Sequence, residues 1–116
     1  MKYSIARDTD SNLYRITAVR DFGDVKSGDV GGLIESEANL SHDGECWVSD
    51  NAKVSHNAQL SDNVWVYGNS WVSGDAKVSD NAQVHDNARV SGNARVSGYA
   101  RVSGDSIIAG DSWVVW

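Results

Sequence analysis

The sequence predicts an all-β protein, a parallel β-helix solenoid built from triangular coils of three hexads each. Two observations carry this prediction: a branched aliphatic residue recurs at every sixth position, and a small residue stands two positions before each of them. Side chains of a strand alternate between its two faces, so both members of a pair point inward while their neighbours point outward. Three hexads then form one coil, and each strand pairs with the strand one coil later.

The two inward columns run through the C-terminal part of the chain without a break. The aliphatic column is Val48, Val54, Leu60, Val66, Val72, Val78, Val84, Val90, Val96, Val102, Ile108 and Val114. The small column is Cys46, Ala52, Ala58, Val64, Ser70, Ala76, Ala82, Ala88, Ala94, Ala100, Ser106 and Ser112. Each hexad therefore predicts a four-residue strand. The two remaining positions hold turn residues such as Gly92-Asn93 and Gly104-Asp105, which tolerate positive φ.

Two architectures fit short strands joined by two-residue turns. An antiparallel meander with primed turns is one, but its Val/Ala face has no second layer in the chain to cover it. In a parallel β-helix the same columns fill a narrow interior, and every coil has the same neighbours. That explains why the hexads repeat with so little variety. We therefore favour the β-helix for residues 31–116.

The N-terminal segment, residues 1–30, predicts a β-hairpin that caps the solenoid. Residues 3–7 and 13–19 alternate apolar and polar side chains on either side of the polar residues 8–12. An open solenoid end is a row of unpaired backbone groups, so a cover is expected there.

The solenoid itself starts at Gly31-Gly32. Its first hexads keep the register of the later ones, except for a two-residue slip at Asp43-Gly44. At the other end Trp116 follows Trp113 and two valines, and two interpretations stay open. Trp116 folds over the end of the core, which we favour, or two solenoids dock end to end.

The hexad pattern [LIV]-x-x-x-[STAV]-x resembles the hexapeptide repeat of left-handed parallel β-helix proteins, whose best-known members are trimeric acyltransferases. The resemblance covers residues 46–116 and implies left-handed coils, although parallel crossovers are normally right-handed. Residues 21–52, DFGDVKSGDVGGLIESEANLSHDGECWVSDNA, are similar to the corresponding segment of YdcK-like uncharacterised proteins of bacteria and prophages, often described as transferases. That description rests on analogy between folds.

Composition excludes several classes of function. The formal net charge of −6 disfavours general binding to nucleic acid, because a phosphate backbone repels it. The single cysteine, Cys46, has no second cysteine for a disulfide or a zinc site. Neither a signal peptide nor a membrane span is predicted from the apolar residues, so we expect a cytoplasmic protein without cofactor or metal.

Catalysis is a minority hypothesis. The hexapeptide-repeat acyltransferases that this sequence resembles use a histidine as general base at a cleft between subunits, usually beside a projecting loop. The resemblance implies that His85 would take this role. The hexad phase never slips between residues 46 and 116, so no such loop is predicted. His42 and His56 are expected to be solvated surface residues, and we assign no catalytic residue.

Outward side chains form columns when the chain is stacked in coils of three hexads. The first wall carries two such columns, Trp47, Trp65, Gln83 and Arg101 beside Ser49, Tyr67, His85 and Ser103. The second wall carries Lys53, Trp71, Arg89 and Ile107, and the third wall carries Gln59, Lys77, Arg95 and Trp113. The aromatic residues of the first wall predict an interface or binding groove, with plain stabilisation of stacked strands as the alternative.

We predict a ligand site on the first wall at Trp47, Trp65, Tyr67, His85 and Arg101. Flat rings can hold a base or a sugar, and Arg101 lies at a distance that suits the phosphate of a stacked nucleotide. In the competing interpretation the arginines stack on tryptophans of the next coil, as Arg89 would on Trp71.

Three functions follow as hypotheses. The first is a non-catalytic binding protein, a homotrimer joined through the aromatic wall. It would be encoded by a phage or prophage and hold a small anionic ligand or a protein partner between subunits, sequestering it against host defence. The second is an acyltransferase that uses acyl-coenzyme A. The third is a structural unit that assembles end to end. We favour the first.

Overall fold

The computed structural model describes residues 1–115 and shows an all-β parallel solenoid. Its strands are β1 (Tyr3–Arg7), β2 (Tyr14–Ala18), β3 (Val30–Ile34), β4 (Trp47–Val48), β5 (Lys53–Val54), β6 (Gln59–Leu60), β7 (Trp65–Val66), β8 (Trp71–Val72), β9 (Lys77–Val78), β10 (Gln83–Val84), β11 (Arg89–Val90), β12 (Arg95–Ser97), β13 (Arg101–Val102), β14 (Ile107–Ile108) and β15 (Trp113–Val115). A 3₁₀ turn, η1, covers Glu37–Asn39. Among residues 1–115, no helix is long and apolar enough to cross a membrane.

Three sheets form the walls of the solenoid. The first wall has the order β4-β7-β10-β13, the second wall contains β3-β5-β8-β11-β14, and the third wall has the order β6-β9-β12-β15. Pairing is parallel with an offset of three hexads, as between Val48 and Val66 or between Val84 and Val102. The five strands of the second wall make about five turns. The predicted parallel β-helix is confirmed, and the antiparallel meander is excluded.

From β4 onward, the solenoid strands are shorter than the predicted four-residue strands. Most of them keep ladder geometry for two residues, and only β12 and β15 have three. The chain turns a corner after every hexad, and the first residue of the turn has positive φ, as at Asp50 (58°) and Gly68 (72°). Regular pairing is therefore confined to the outward residue and the inward aliphatic residue of each hexad.

The core is the interior of the solenoid. The aliphatic column from Val48 to Val102 is at most 3% exposed, and Val64 fits the small column at 0%. Ile108 and Val114 are only partly buried, because among the described residues they have a neighbouring coil on one side alone. The inward and outward faces are therefore those that the period predicts.

Glycines at the corners let successive turns approach closely. A Cβ added to Gly92 (φ 67°) would lie 2.7 Å from the backbone nitrogen of Gly110 and 3.0 Å from its oxygen. A Cβ added to Gly104 (φ 61°) would meet nothing within 4 Å. The two glycines share a backbone conformation, but only Gly92 has the backbone of a neighbouring coil close to the position of its missing Cβ.

We expect Gly92→Ala to destabilise the protein more than Gly104→Ala. Both changes place a side chain at positive φ, which costs about 1–2 kcal/mol. Only Gly92→Ala adds a clash with the backbone of Gly110. Urea unfolding followed by circular dichroism measures the two losses, and equal losses would mean that the corners are not stacked this tightly.

The N-terminal hairpin extends the second wall. Strands β1 and β2 pair antiparallel. Strand β1 covers the predicted range 3–7 in full, and β2 (Tyr14–Ala18) lies within the predicted range 13–19. Strand β2 pairs antiparallel with β3, which then pairs parallel with β5. The hairpin is therefore continuous with the sheet of the solenoid.

Hairpin side chains cover the N-terminal end of the core. Tyr3 and Ile16 are fully buried, and the Tyr3 hydroxyl donates a hydrogen bond of 2.6 Å to the carbonyl of Leu40. In the pairing of β3 with β5, Ile34 lies opposite Val54. This offset is two residues longer than the offset of three hexads in the later coils, so the predicted two-residue slip in the first coil is confirmed. The left-handedness of the coils remains a prediction. The expectation that Trp116 folds over the end of the core concerns a residue outside the described part of the chain.

Candidate functional site

Trp65, Gln83 and Arg101 of the first wall stand in register on neighbouring strands, as predicted. Gln83 is paired in register with Trp65 on one side and with Arg101 on the other. Neighbouring strands are about 4.8 Å apart, so Arg101 lies roughly 10 Å from Trp65 along the wall. Trp65 is 36% exposed and Arg101 is exposed. An aromatic and a cationic group therefore share this face at a spacing that a nucleotide-sized ligand can bridge.

Trp47 does not belong to that exposed surface. It pairs with Trp65 in register, but it is only 3% exposed because the cap covers it. Its ring packs edge-on against Phe22 with centroids 5.2 Å apart and against Tyr3 at 6.5 Å. The prediction that Trp47 takes part in a solvent-accessible site was wrong. Phe22 and Val25, two apolar residues in an otherwise polar segment, were the signal in the sequence for such a cover.

Three rings form a continuous aromatic strip on the first wall, which we define as Trp65, Tyr67 and His85. The rings of Tyr67 and His85 are stacked, with centroids 4.9 Å apart and an interplanar angle of 7°. Trp65 is tilted by 53° toward Tyr67 at 5.5 Å. Such contacts stabilise the neighbouring strands and also present aromatic surface to solvent, so the strip agrees with both interpretations of the aromatic column.

Asp86 holds the ring of His85 in place. Its Oδ1 lies 3.3 Å from Nδ1 of His85, and its Oδ2 accepts a hydrogen bond of 3.0 Å from the backbone N–H of Gly104. The Gly104 amide, followed by His85, holds the pKa of the Asp86 carboxyl below its usual range. His85 is thus a stacked and oriented side chain that can donate a hydrogen bond.

An acidic cleft of about 130 Å³ adjoins the Trp65 end of the strip. It lies between the cap and the first wall and is lined by Phe22, Gly23, Asp24, Val25, Glu45, Trp47, Asn63 and Trp65. Its two carboxylates repel an anion. The charged group of an anionic ligand on this wall therefore belongs at the opposite end, beside Arg101.

Tyr99 is a candidate site residue that the sequence reasoning missed. It is 73% exposed at the corner that leads into β13, two positions before Arg101. In the preceding coils of this corner the same position is occupied by Asn63 and Asn81, joined by a side-chain hydrogen bond of 3.2 Å. The change from Asn to Tyr was visible in the repeats and adds an exposed ring at the corner before β13.

Arginines of the other walls stack on tryptophans of their own chain. The Arg89 guanidinium lies 6.0 Å from the ring centre of Trp71, and that of Arg95 lies 5.4 Å from Trp113. For these two arginines, the structure agrees with the competing interpretation, in which an arginine stacks on a tryptophan of a neighbouring coil. Arg101 has no aromatic residue in the strand beside it, since its neighbour in register is Gln83.

His42 is a surface residue, with 32% of its side chain exposed, that also contacts the cap. Its ring stacks on Tyr3 with centroids 4.0 Å apart, and its Nε2 lies 2.8 Å from Oε1 of Glu37. The backbone N–H of Lys2 donates to its Nδ1 at 3.1 Å. His56 is exposed at a corner with φ 57°, as a surface turn residue would be.

Lys2 and Cys46 form a buried polar pair that the sequence did not predict. Nζ of Lys2 donates to the carbonyl of Cys46 at 2.7 Å and lies 3.3 Å from its Sγ. Burial lowers the pKa of the Lys2 ammonium and raises the pKa of the Cys46 thiol. The pair ties the N-terminus to the first coil behind Trp47.

Two segments of the repeats match a known family model. Residues 58–74 and 88–104 match the family model of the YdcK beta solenoid repeat. The chain contains YdcK-type solenoid repeats. Both matched segments begin at a small inward residue, Ala58 or Ala88, and end at a positive-φ glycine, Gly74 or Gly104. A search of curated proteins found no match.

The two YdcK-type segments begin on different walls. Ala58 leads into β6 of the third wall, whereas Ala88 leads into β11 of the second wall. Each segment then runs through one strand of every wall, so the match follows the hexad repeat and does not single out a wall.

Proposed function

We propose that this protein is a non-catalytic binding protein, a homotrimer that holds a small anionic, nucleotide-like ligand on its first wall, at clefts between subunits. The observation that carries the proposal is the register of Trp65 with Arg101 on the first wall, beside the aromatic strip and with Tyr99 exposed at the adjoining corner. Sequestration of a signalling nucleotide in the bacterial cytoplasm by a phage- or prophage-encoded protein would suit such a site.

The chemistry of the face favours a ring that carries an anion. Stacking of a base on an aromatic side chain contributes roughly 1–3 kcal/mol, and Trp65 and Tyr99 each offer an accessible ring. Arg101 can bind a phosphate in a bidentate manner. The carboxylates of the acidic cleft repel the negative charge of the ligand and so orient its anionic group away from Trp65.

Assembly around the first wall would enclose the ligand. A single flat wall covers one side of a bound molecule, whereas small-molecule sites bury most of the ligand surface. Trp65 and Tyr99 also leave apolar area in water, which a subunit contact would remove. A cyclic trimer provides such a contact through the same pair of surfaces at each interface.

The chain offers no support for an acyltransferase site beyond His85 itself. Residues 46–115 keep the register of three hexads per coil without an inserted loop to position a substrate. His85 is stacked on Tyr67 and held by Asp86, and we assign it a binding role.

Calorimetric titration with mono-, di- and cyclic nucleotides and nucleotide sugars tests the ligand. We expect heat from at least one of them and an affinity lowered about tenfold or more in Arg101→Ala, because a charge-assisted contact is lost. Lys53→Ala, on the second wall, is the matched control and should bind like the parent. No heat from any compound, or equal affinity in Arg101→Ala, would remove the ligand from the proposal.

Substitution of the strip tests the interface. Trp65→Glu should yield monomers, because it places a carboxylate in the subunit contact and next to the acidic cleft. Trp71→Glu introduces the same charge on the second wall, at a tryptophan of similar exposure (39%), and should keep the parent's mass. Light scattering measures both, and an unchanged mass for Trp65→Glu would show that the first wall is not the interface.

A further inference from the structure

The third wall carries a basic trough of about 270 Å³. Its lining consists of two outward columns on neighbouring strands: Gln59, Lys77, Arg95 and Trp113 beside Ser61, Ser79, Ser97 and Val115. Every charged residue of this lining is a cation, although the chain as a whole has a net charge of −6.

Lys77 and Arg95 face each other in register on adjacent strands. Like charges in directly opposite positions of a sheet destabilise it. Among residues 1–115, no carboxylate oxygen lies within 4.0 Å of either side chain to offset this repulsion. The backbones of the two residues are about one strand spacing apart, so their long side chains can both reach a single tetrahedral oxyanion.

The second wall shows how the same protein separates two cations. There Trp71 lies between Lys53 and Arg89, with the cations 5.9 and 6.0 Å from its ring centre. Nε1 of Trp71 donates a hydrogen bond of 2.9 Å to the Ser55 hydroxyl, which fixes the indole. Among the described residues of the third wall, no aromatic residue lies between Lys77 and Arg95, and the Arg95 guanidinium lies over Trp113 on the far side.

The acidic residues beside the third wall are tied to its corners. Asp62 and Asp80 accept hydrogen bonds from the backbone N–H of the next coil at 3.1 and 2.9 Å. Asp75 and Asp111 accept from the side-chain amides of asparagines one coil earlier, at 3.1 and 3.2 Å. These carboxylates are engaged along the edges, and none of the four forms an ion pair with Lys77 or Arg95.

We propose that the third wall binds a phosphate monoester of a ring compound, in a site separate from the first wall. The phosphate lies between Lys77 and Arg95, and the half-buried hydroxyls of Ser79 and Ser97 donate to it. The ring stacks on Trp113, which is 68% exposed. A guanidinium stacked on an indole still presents its N–H edge, so Arg95 can contact the tryptophan and the phosphate together.

Titration of the ¹⁵N-labelled protein with phenyl phosphate and with inorganic phosphate tests this site by NMR. We expect shifts at the amides of Lys77, Ser79, Arg95 and Ser97 and at the Trp113 indole, with phenyl phosphate binding more tightly. Arg95→Gln and Lys77→Gln should each weaken binding about tenfold. Arg89→Gln, on the second wall, should not change it. Trp113→Ser should remove only the preference for the phenyl ester.

Three outcomes would overturn the inference. They are no shift with either compound, shifts spread evenly over the cations of all walls, and full affinity in both Arg95→Gln and Lys77→Gln. Shifts confined to the first wall would overturn it while supporting the proposed function. Conversely, nucleotide binding that is unchanged in Arg101→Ala and weakened in Arg95→Gln would remove the first-wall ligand and leave this site standing.

Discussion

Val90→Asp is expected to abolish cooperative folding. Val90 is fully buried in the aliphatic column, between Val72 and Ile108 of the adjacent coils. A carboxylate there has no partner, and its burial costs on the order of 4 kcal/mol, a large part of the stability of a small domain. Thermal unfolding followed by circular dichroism should show a broad, non-cooperative loss of signal, or the protein should fail to accumulate in soluble form.

Ser91→Asp is the matched control. It introduces the same side chain one residue away, at a half-buried position on the outer surface, and should change the midpoint of unfolding only slightly. A folded, cooperative Val90→Asp together with a disrupted Ser91→Asp would mean that the inward and outward faces are exchanged.

Trp47→Ala should destabilise the protein far more than Trp65→Ala. Trp47 is 3% exposed and packs against two rings of the cap, whereas Trp65, its neighbour in register, is 36% exposed. Truncation of a buried aromatic residue costs about 3–5 kcal/mol, and a partly exposed one costs much less. Chemical denaturation of both variants measures the difference.

The same pair separates stability from function. Trp65→Ala should reduce ligand binding or trimer formation while the fold persists, because this side chain remains on the surface of the first wall. Equal and small losses of stability in the two variants would contradict the burial of Trp47 and restore it to the exposed site.

The periodic part of the molecule could be predicted from sequence because its contacts are set by a fixed offset. Once Val48 and Val66 are known to stack, every later pair follows, and so do the outward columns of each wall. The same offset places Trp65, Gln83 and Arg101 in one line. Strand length was overestimated because the pattern does not show where each corner bends.

The parts that could not be predicted depend on contacts without a period. Trp47 occupies an outward position, but Phe22 folds over it from a segment that precedes the repeats. The buried pair of Lys2 and Cys46 joins distant parts of the chain, with no repeating pattern to indicate it. Tyr99 was visible as an exception in the hexads, but its exposure became clear only from the geometry of the corner.

The mass of the protein in solution at two concentrations tests the proposed assembly most directly, since the ligand clefts are expected between subunits. Sedimentation equilibrium should give three times the chain mass at a low and at a tenfold higher concentration, with the chain mass alone for Trp65→Glu. A single chain mass at both concentrations would leave the first wall without a partner. A mass that grows with concentration would replace the closed trimer with end-to-end assembly.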